Sequence, residues 1–125
     1  MYSARLLDHF EHPRNAGEVA GADADVRVEN PACGDVLRLT LKLTGGRIAE
    51  IAFQAKGCVA SMACASALTE LVRGQTIEQA RLVSKEQLVN AVGGLPPASS
   101  HAGQLALDAL QAALNRAAGE NCGSF

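Results

Sequence analysis

Residues 35–43, DVLRLTLKL, alternate without a break, setting Leu37, Leu39, Leu41 and Leu43 against Val36, Arg38, Thr40 and Lys42. Side chains two apart in a strand share a face, so the pattern demands a half-buried strand with one apolar and one polar side. TGG then signals a tight hairpin, and RIAEIAFQA beyond it places Ile51, Phe53 and Ala55 on one face. Upstream, Val26 and Val28 alternate with Asp25 and Arg27 as a shorter strand. Three antiparallel strands in sequence form a meander, and its polar face is expected to be largely solvated.

The period changes after Lys56-Gly57. Met62 through Val72 read as a helix ending near Arg73-Gly74, and two capping boxes follow, Thr76 with Gln79 and Ser84 with Gln87. GGLPP breaks the chain, after which Gly103, Ala106, Leu107, Leu110, Ala113, Leu114 and Ala117 recur at helical spacing up to Gly119. At the other end, Ser3 can cap a short helix reaching about His12, which Pro13 stops, and RNAGEVAGADAD reads as a loop. Strands followed by helices indicate an α+β fold, a three-stranded antiparallel sheet with helices packed on one face.

A chain of 125 residues is the size of one domain and buries about two thirds of its unfolded surface, so it needs no disulfide staples. Aromatic residues make up only 3% and Trp is absent, so the core must be built from Leu, Val, Ile and Ala, and base-stacking platforms are not expected. A net charge of −2 without a run of Lys or Arg lacks the electrostatic footprint of a nucleic-acid or anionic-membrane binder. Asp8 and Glu11 interrupt the early apolar stretch, and no apolar run approaches the ~20 residues of a membrane span. The expected compartment is the cytoplasm, where thiols serve metals or catalysis more often than disulfides.

The four cysteines are Cys33, Cys58, Cys64 and Cys122. In NPACGD, Cys33 and Asp35 can project the same way from an extended segment. The pair reads either as chelating ligands or as a strand-entry turn holding a thiol and a capping carboxylate. Cys58 follows Gly57 where strand gives way to helix; backbone N–H groups at a helix start stabilise an anion, and a thiolate is what metals and sulfur transfer require. His101 stands before the last helix behind Ser99 and Ser100, either as a ligand or as a surface histidine beside a cap. Cys64 shares an apolar stripe with Leu68, Leu71 and Val72 and reads as a core thiol, while Cys122 belongs to a polar tail. His9 and His12 read as surface residues of a charged helix.

Taken in order and spacing, LLDHFEHPRNAG, NPACGDVLRLTLKL, AKGCVASMACASALTELVRGQT and GLPPASSHAGQLALDALQAAL resemble the iron-sulfur cluster assembly scaffold family of the IscU or NifU N-terminal type. The resemblance runs from near residue 2 to about residue 118. It implies one scaffold domain over 1–118, with 119–125 as a flexible C-terminal tail. It also implies a non-enzymatic carrier that accepts sulfur from a cysteine desulfurase, binds a transient [2Fe-2S] cluster and passes it to apo iron-sulfur proteins. Cys33, Asp35, Cys58 and His101 match the family's cluster ligands, and the same four side chains could instead hold Zn²⁺ tetrahedrally. Alternative readings are a zinc-binding sulfur acceptor relaying persulfide without building a cluster, and a domain with a structural zinc only.

Two departures from the family pattern bear on function. The cysteine that the family places directly after the histidine is here Ala102, so His101 or Cys122 would have to complete the ligand set. The family's chaperone-recognition segment continues Leu-Pro-Pro with Val and Lys, whereas Ala98 and Ser99 follow Leu95, Pro96 and Pro97 here, which argues against dependence on a dedicated Hsp70-type chaperone.

Overall fold

The structure, a computed structural model, describes residues 2–30 and 34–119. Helix α1 (Ala4–Glu11) leads into a three-stranded antiparallel sheet of order β1-β2-β3, formed by β1 (Ala24–Asn30), β2 (Asp35–Thr44) and β3 (Arg47–Lys56). Helices α2 (Val59–Val72), α3 (Ile77–Arg81) and α4 (Lys85–Ala91) follow, and a short 3₁₀ turn (Pro97–Ser99) runs directly into α5 (Ser100–Ala117). The hairpin between β2 and β3 pairs Thr44 with Arg47 around Gly45 and Gly46, both at positive φ, as a tight turn matching the strand twist requires. None of these helices is long and apolar enough to cross a membrane.

Helices α2 and α5 cover one face of the sheet, where Leu37, Leu39, Leu41, Ile51 and Phe53 meet Ala63, Leu68, Val72, Ala106, Leu110 and Leu114 in a single core. The caps lie where the sequence places them. Thr76 and Gln79, and likewise Ser84 and Gln87, exchange reciprocal hydrogen bonds, each satisfying two backbone donors that the helix start would otherwise leave unpaired. Ser3 accepts from the Leu6 amide at 3.0 Å and donates to the Val92 carbonyl, fastening α1 to the end of α4.

Four features depart from the sequence reading. A register shift between Lys42 and Leu43 turns Leu43 to a half-buried position and brings Ile48 fully into the core, so strict alternation ends one pair before the hairpin. The outer sheet face is only partly solvated. The segment before β1 crosses it, the Val19 amide donates to Thr40 Oγ1 at 3.0 Å, and Val19, Thr40 and Ala52 are all buried. In α5 the buried side also takes in Ala102, Leu105 and Ala109, while Leu107 is half-buried.

The fourth departure is His9, which is buried against α2, whereas His12 is exposed as expected. His9 Nδ1 lies 2.8 Å from Ser66 Oγ and Nε2 lies 3.5 Å from a Glu70 carboxylate oxygen, while the Arg14 amide donates to the same Ser66 oxygen at 2.8 Å. A neutral ring satisfies this arrangement, with Nδ1 accepting from Ser66 and the Nε2 proton facing Glu70.

Burial, reinforced by the Arg14 charge and opposed by Glu70 and Asp8, holds the His9 pKa below its ordinary 6.5. As pH falls through 6.5 the unfolded chain takes up this proton before the folded one does, so stability is lost on acidification from about pH 7.5 to 5.5, at no more than about 1.4 kcal/mol per pH unit. Asp8 and Asp25, held below the usual carboxylate range by hydrogen bonds from Arg14 and Arg38, titrate outside that window. Urea unfolding of the metal-free protein at the two pH values should show this loss, and His9→Gln should flatten it; an unchanged slope in the variant would remove His9 as its source.

Candidate metal centre

Three elements begin at one place. Asp35 is the first residue of β2, Cys58 is the N-cap of α2, and His101 lies in the first turn of α5. Helix α2 thus starts three residues earlier than the apolar stripe suggests, because Cys58 itself caps it, its sulfur accepting from the Ser61 amide at 3.4 Å. His101 is likewise inside the last helix rather than ahead of it.

The ligand atoms of Asp35, Cys58 and His101 all lie within 4.8 Å of one another. Cys58 Sγ is 3.3 Å from Asp35 Oδ2 and 3.9 Å from His101 Nε2, and Nε2 is 3.4 Å from the same Oδ2. A zinc ion with tetrahedral bonds of 2.0–2.3 Å would hold its ligands at edges of roughly 3.3–3.7 Å. The donor set therefore already approximates one face of such a site, and its mixture of sulfur, oxygen and nitrogen suits zinc or iron better than calcium or magnesium.

Asp35 is only 4% exposed, and its carboxyl group is held from both sides by the first turn of α2. Oδ1 accepts from the Cys58 amide at 3.2 Å and Oδ2 accepts from the Ser61 hydroxyl at 2.6 Å. A carboxylate at a helix N-terminus is favoured by the exposed amides and the helix dipole. Gly57 makes the approach possible. Its φ is +143°, and a Cβ there would come within 2.2 Å of Asp35 Oδ1 and 3.0 Å of the Asp35 Cα. On the open side, His101 borders a cleft of about 260 Å³ lined also by Glu29, Asn30, Gln104, Leu105 and Asp108.

The sequence-derived ligands are thus brought together at Asp35, Cys58 and His101, while Cys33 and Cys122 lie outside the described residues. Cys64 is fully buried, and burial, with a smaller contribution from Cys58, pushes its thiol up to about 12, as a core thiol requires. Ala102 is buried in the same helix turn as His101. Ser61 falls outside the Met62–Val72 helix that the apolar stripe suggests; with Cys58 as the cap it occupies the third helical position, where a side chain faces back toward the cap.

Known proteins resemble this chain over most of its length. The family model described as NifU-like N terminal domain matches residues 1–122. A protein of Archaeoglobus fulgidus named iron-sulfur cluster assembly scaffold protein IscU 1 is 42% identical over 114 residues, covering 91% of this chain and 74% of its own. An Azotobacter vinelandii protein named iron-sulfur cluster assembly scaffold protein IscU is 39% identical over 117 residues, covering 90% and 91%. Among solved structures, a nitrogen-fixing NifU-like protein (N-terminal) from Brucella abortus superposes with a TM-score of 0.76 at 20% identity, covering 95% of each chain, a likeness that speaks to the fold.

Two outcomes are expected from this geometry. Gly57→Ala should push Asp35 out of place and weaken zinc binding by about tenfold or more, measured by competition with a chromogenic chelator. Cys64→Ala should leave zinc binding unchanged while costing on the order of 1 kcal/mol in urea unfolding. Loss of zinc from a folded Cys64→Ala protein would contradict the core assignment.

Proposed function

The chain belongs to the NifU-like N terminal domain family, and on that premise we propose that it is a scaffold on which an iron-sulfur cluster is assembled and from which it is handed on. The observation that supports this most directly is the convergence of a thiol, a carboxyl group and an imidazole from three separate elements beside an open cleft. In this reading Cys33, Asp35, Cys58 and His101 hold the cluster as cargo, a [2Fe-2S] species, with two protein ligands for each iron. Sulfur comes from a cysteine desulfurase, and apo iron-sulfur proteins are the recipients.

The ligand set favours release as much as capture. Thiolates are soft donors that hold iron-sulfur clusters firmly, whereas the harder carboxylate and imidazole hold them less tightly. With Ala102 in place of a further thiol, this chain leans on His101. Zinc fits the same donors as a resting occupant.

Anaerobic reconstitution with iron, cysteine and a desulfurase, followed by metal and acid-labile sulfide analysis and an absorption spectrum, tests the reading. Equal iron and sulfide with visible absorption is the expected result; a protein that retains zinc alone under these conditions would favour a zinc-bound sulfur acceptor. Cys58→Ser should abolish stable cluster binding in a folded domain, and His101→Ala should greatly shorten cluster lifetime after chelator addition. Cys122→Ser should behave as wild type. Rapid decay confined to Cys122→Ser would place the tail in the site and remove His101 from it.

A further inference from the structure

Ser61 touches two of the three converging ligand residues. Its hydroxyl donates to Asp35 Oδ2 at 2.6 Å and lies 3.3 Å from Cys58 Sγ, while its amide donates to that sulfur at 3.4 Å. The side chain is 4% exposed, so water has little access with which to replace the hydroxyl. An O–H···O contact this short is the charge-assisted kind and stronger than a bond between neutral groups. The oxygen it grips is the one that also faces Cys58 Sγ and His101 Nε2, the atom through which Asp35 would meet a metal.

We propose that Ser61 is a positioning residue of the metal centre, acting through Asp35 by fixing the direction in which Oδ2 is presented. This rests on the reading of Asp35, Cys58 and His101 as ligands. The Cys58 amide holds Oδ1 and Gly57 passes beneath the carboxyl group, while the Ser61 hydroxyl holds Oδ2 directly against rotation about the Asp35 side-chain bonds. Hydrogen-bonding partners behind metal ligands typically contribute tenfold to a hundredfold to affinity by holding the ligand in its binding orientation.

Zinc affinity of the metal-free protein, measured by competition with a chromogenic chelator, tests the idea in wild type, Ser61→Ala, Asp35→Ala and the double variant. Alanine is the best helix former and adds no volume, so Ser61→Ala should keep the wild-type far-ultraviolet circular dichroism spectrum. The expected result is at least about a tenfold loss in Ser61→Ala and no further loss when the same change is made in the Asp35→Ala background. Wild-type affinity in Ser61→Ala would overturn the proposal while leaving the ligand assignment intact. An equal loss in both backgrounds would also overturn it, because Ser61 would then act through Cys58 or the helix rather than through Asp35. Wild-type protein that binds neither zinc nor a reconstituted cluster would instead sink the ligand reading on which the proposal rests.

Discussion

The Asp35 carboxyl group is the constraint around which the functional end of the molecule is built. A buried carboxyl group without donors would cost several kcal/mol, and a partner removed from such a group is costly in the same way. Here the donors come from the Cys58 amide and the Ser61 hydroxyl, with the Cys58 thiol beside them, and His101 closes the set from α5. Satisfying that one group requires the start of β2, the start of α2 and the start of α5 to meet within a few ångströms. Gly57 at φ +143° is the local consequence, since any side chain there would occupy the space of the Asp35 carboxyl group.

The remainder of the fold adds an apolar core that holds the same three elements against one another. The inner sheet face and the facing sides of α2 and α5 form a continuous apolar core, with Leu37, Leu39, Leu68, Leu110 and Leu114 at or near zero exposure. Small residues do much of the close packing: Ala63, Ala67, Ala106, Ala109 and Ala113 are all buried, so helices and sheet approach closely despite the lack of Trp. Midway along α2, the His9–Ser66 contact and the Arg14 amide fix α1 and the following loop onto the helix that Cys58 caps.

Most of the architecture was legible because its elements are local and periodic. The alternation in β2, the capping boxes at Thr76 and Ser84, and the glycine hairpin each follow from side-chain direction or backbone freedom within a few residues. What escaped depends on contacts distant in sequence. Ile48 replaces Leu43 in the core because of a register shift between paired strands, and Thr40 is buried because the loop carrying Val19 crosses the outer face. His9 reads as a surface residue until Ser66, fifty-seven residues away, supplies a partner. At the site, Asp35, Cys58 and His101 could be picked out by residue type and position at element ends. Ser61 could not, because its role exists only once Asp35 lies across the start of α2.

This division between an apolar core and a polar junction at its rim bears on how a carrier can work. In small zinc domains the metal supplies the folding free energy, so releasing it unfolds the chain. Here the core is built by residues outside the site, with only Cys58 packed against its edge, and the Asp35 carboxyl group has hydrogen-bonding partners within the folded chain. Among the described residues, the Asp35 carboxyl group therefore keeps its hydrogen bonds without a metal. A protein that must alternate between loaded and empty states gains from this arrangement, because the empty state stays folded and poised for the next cargo.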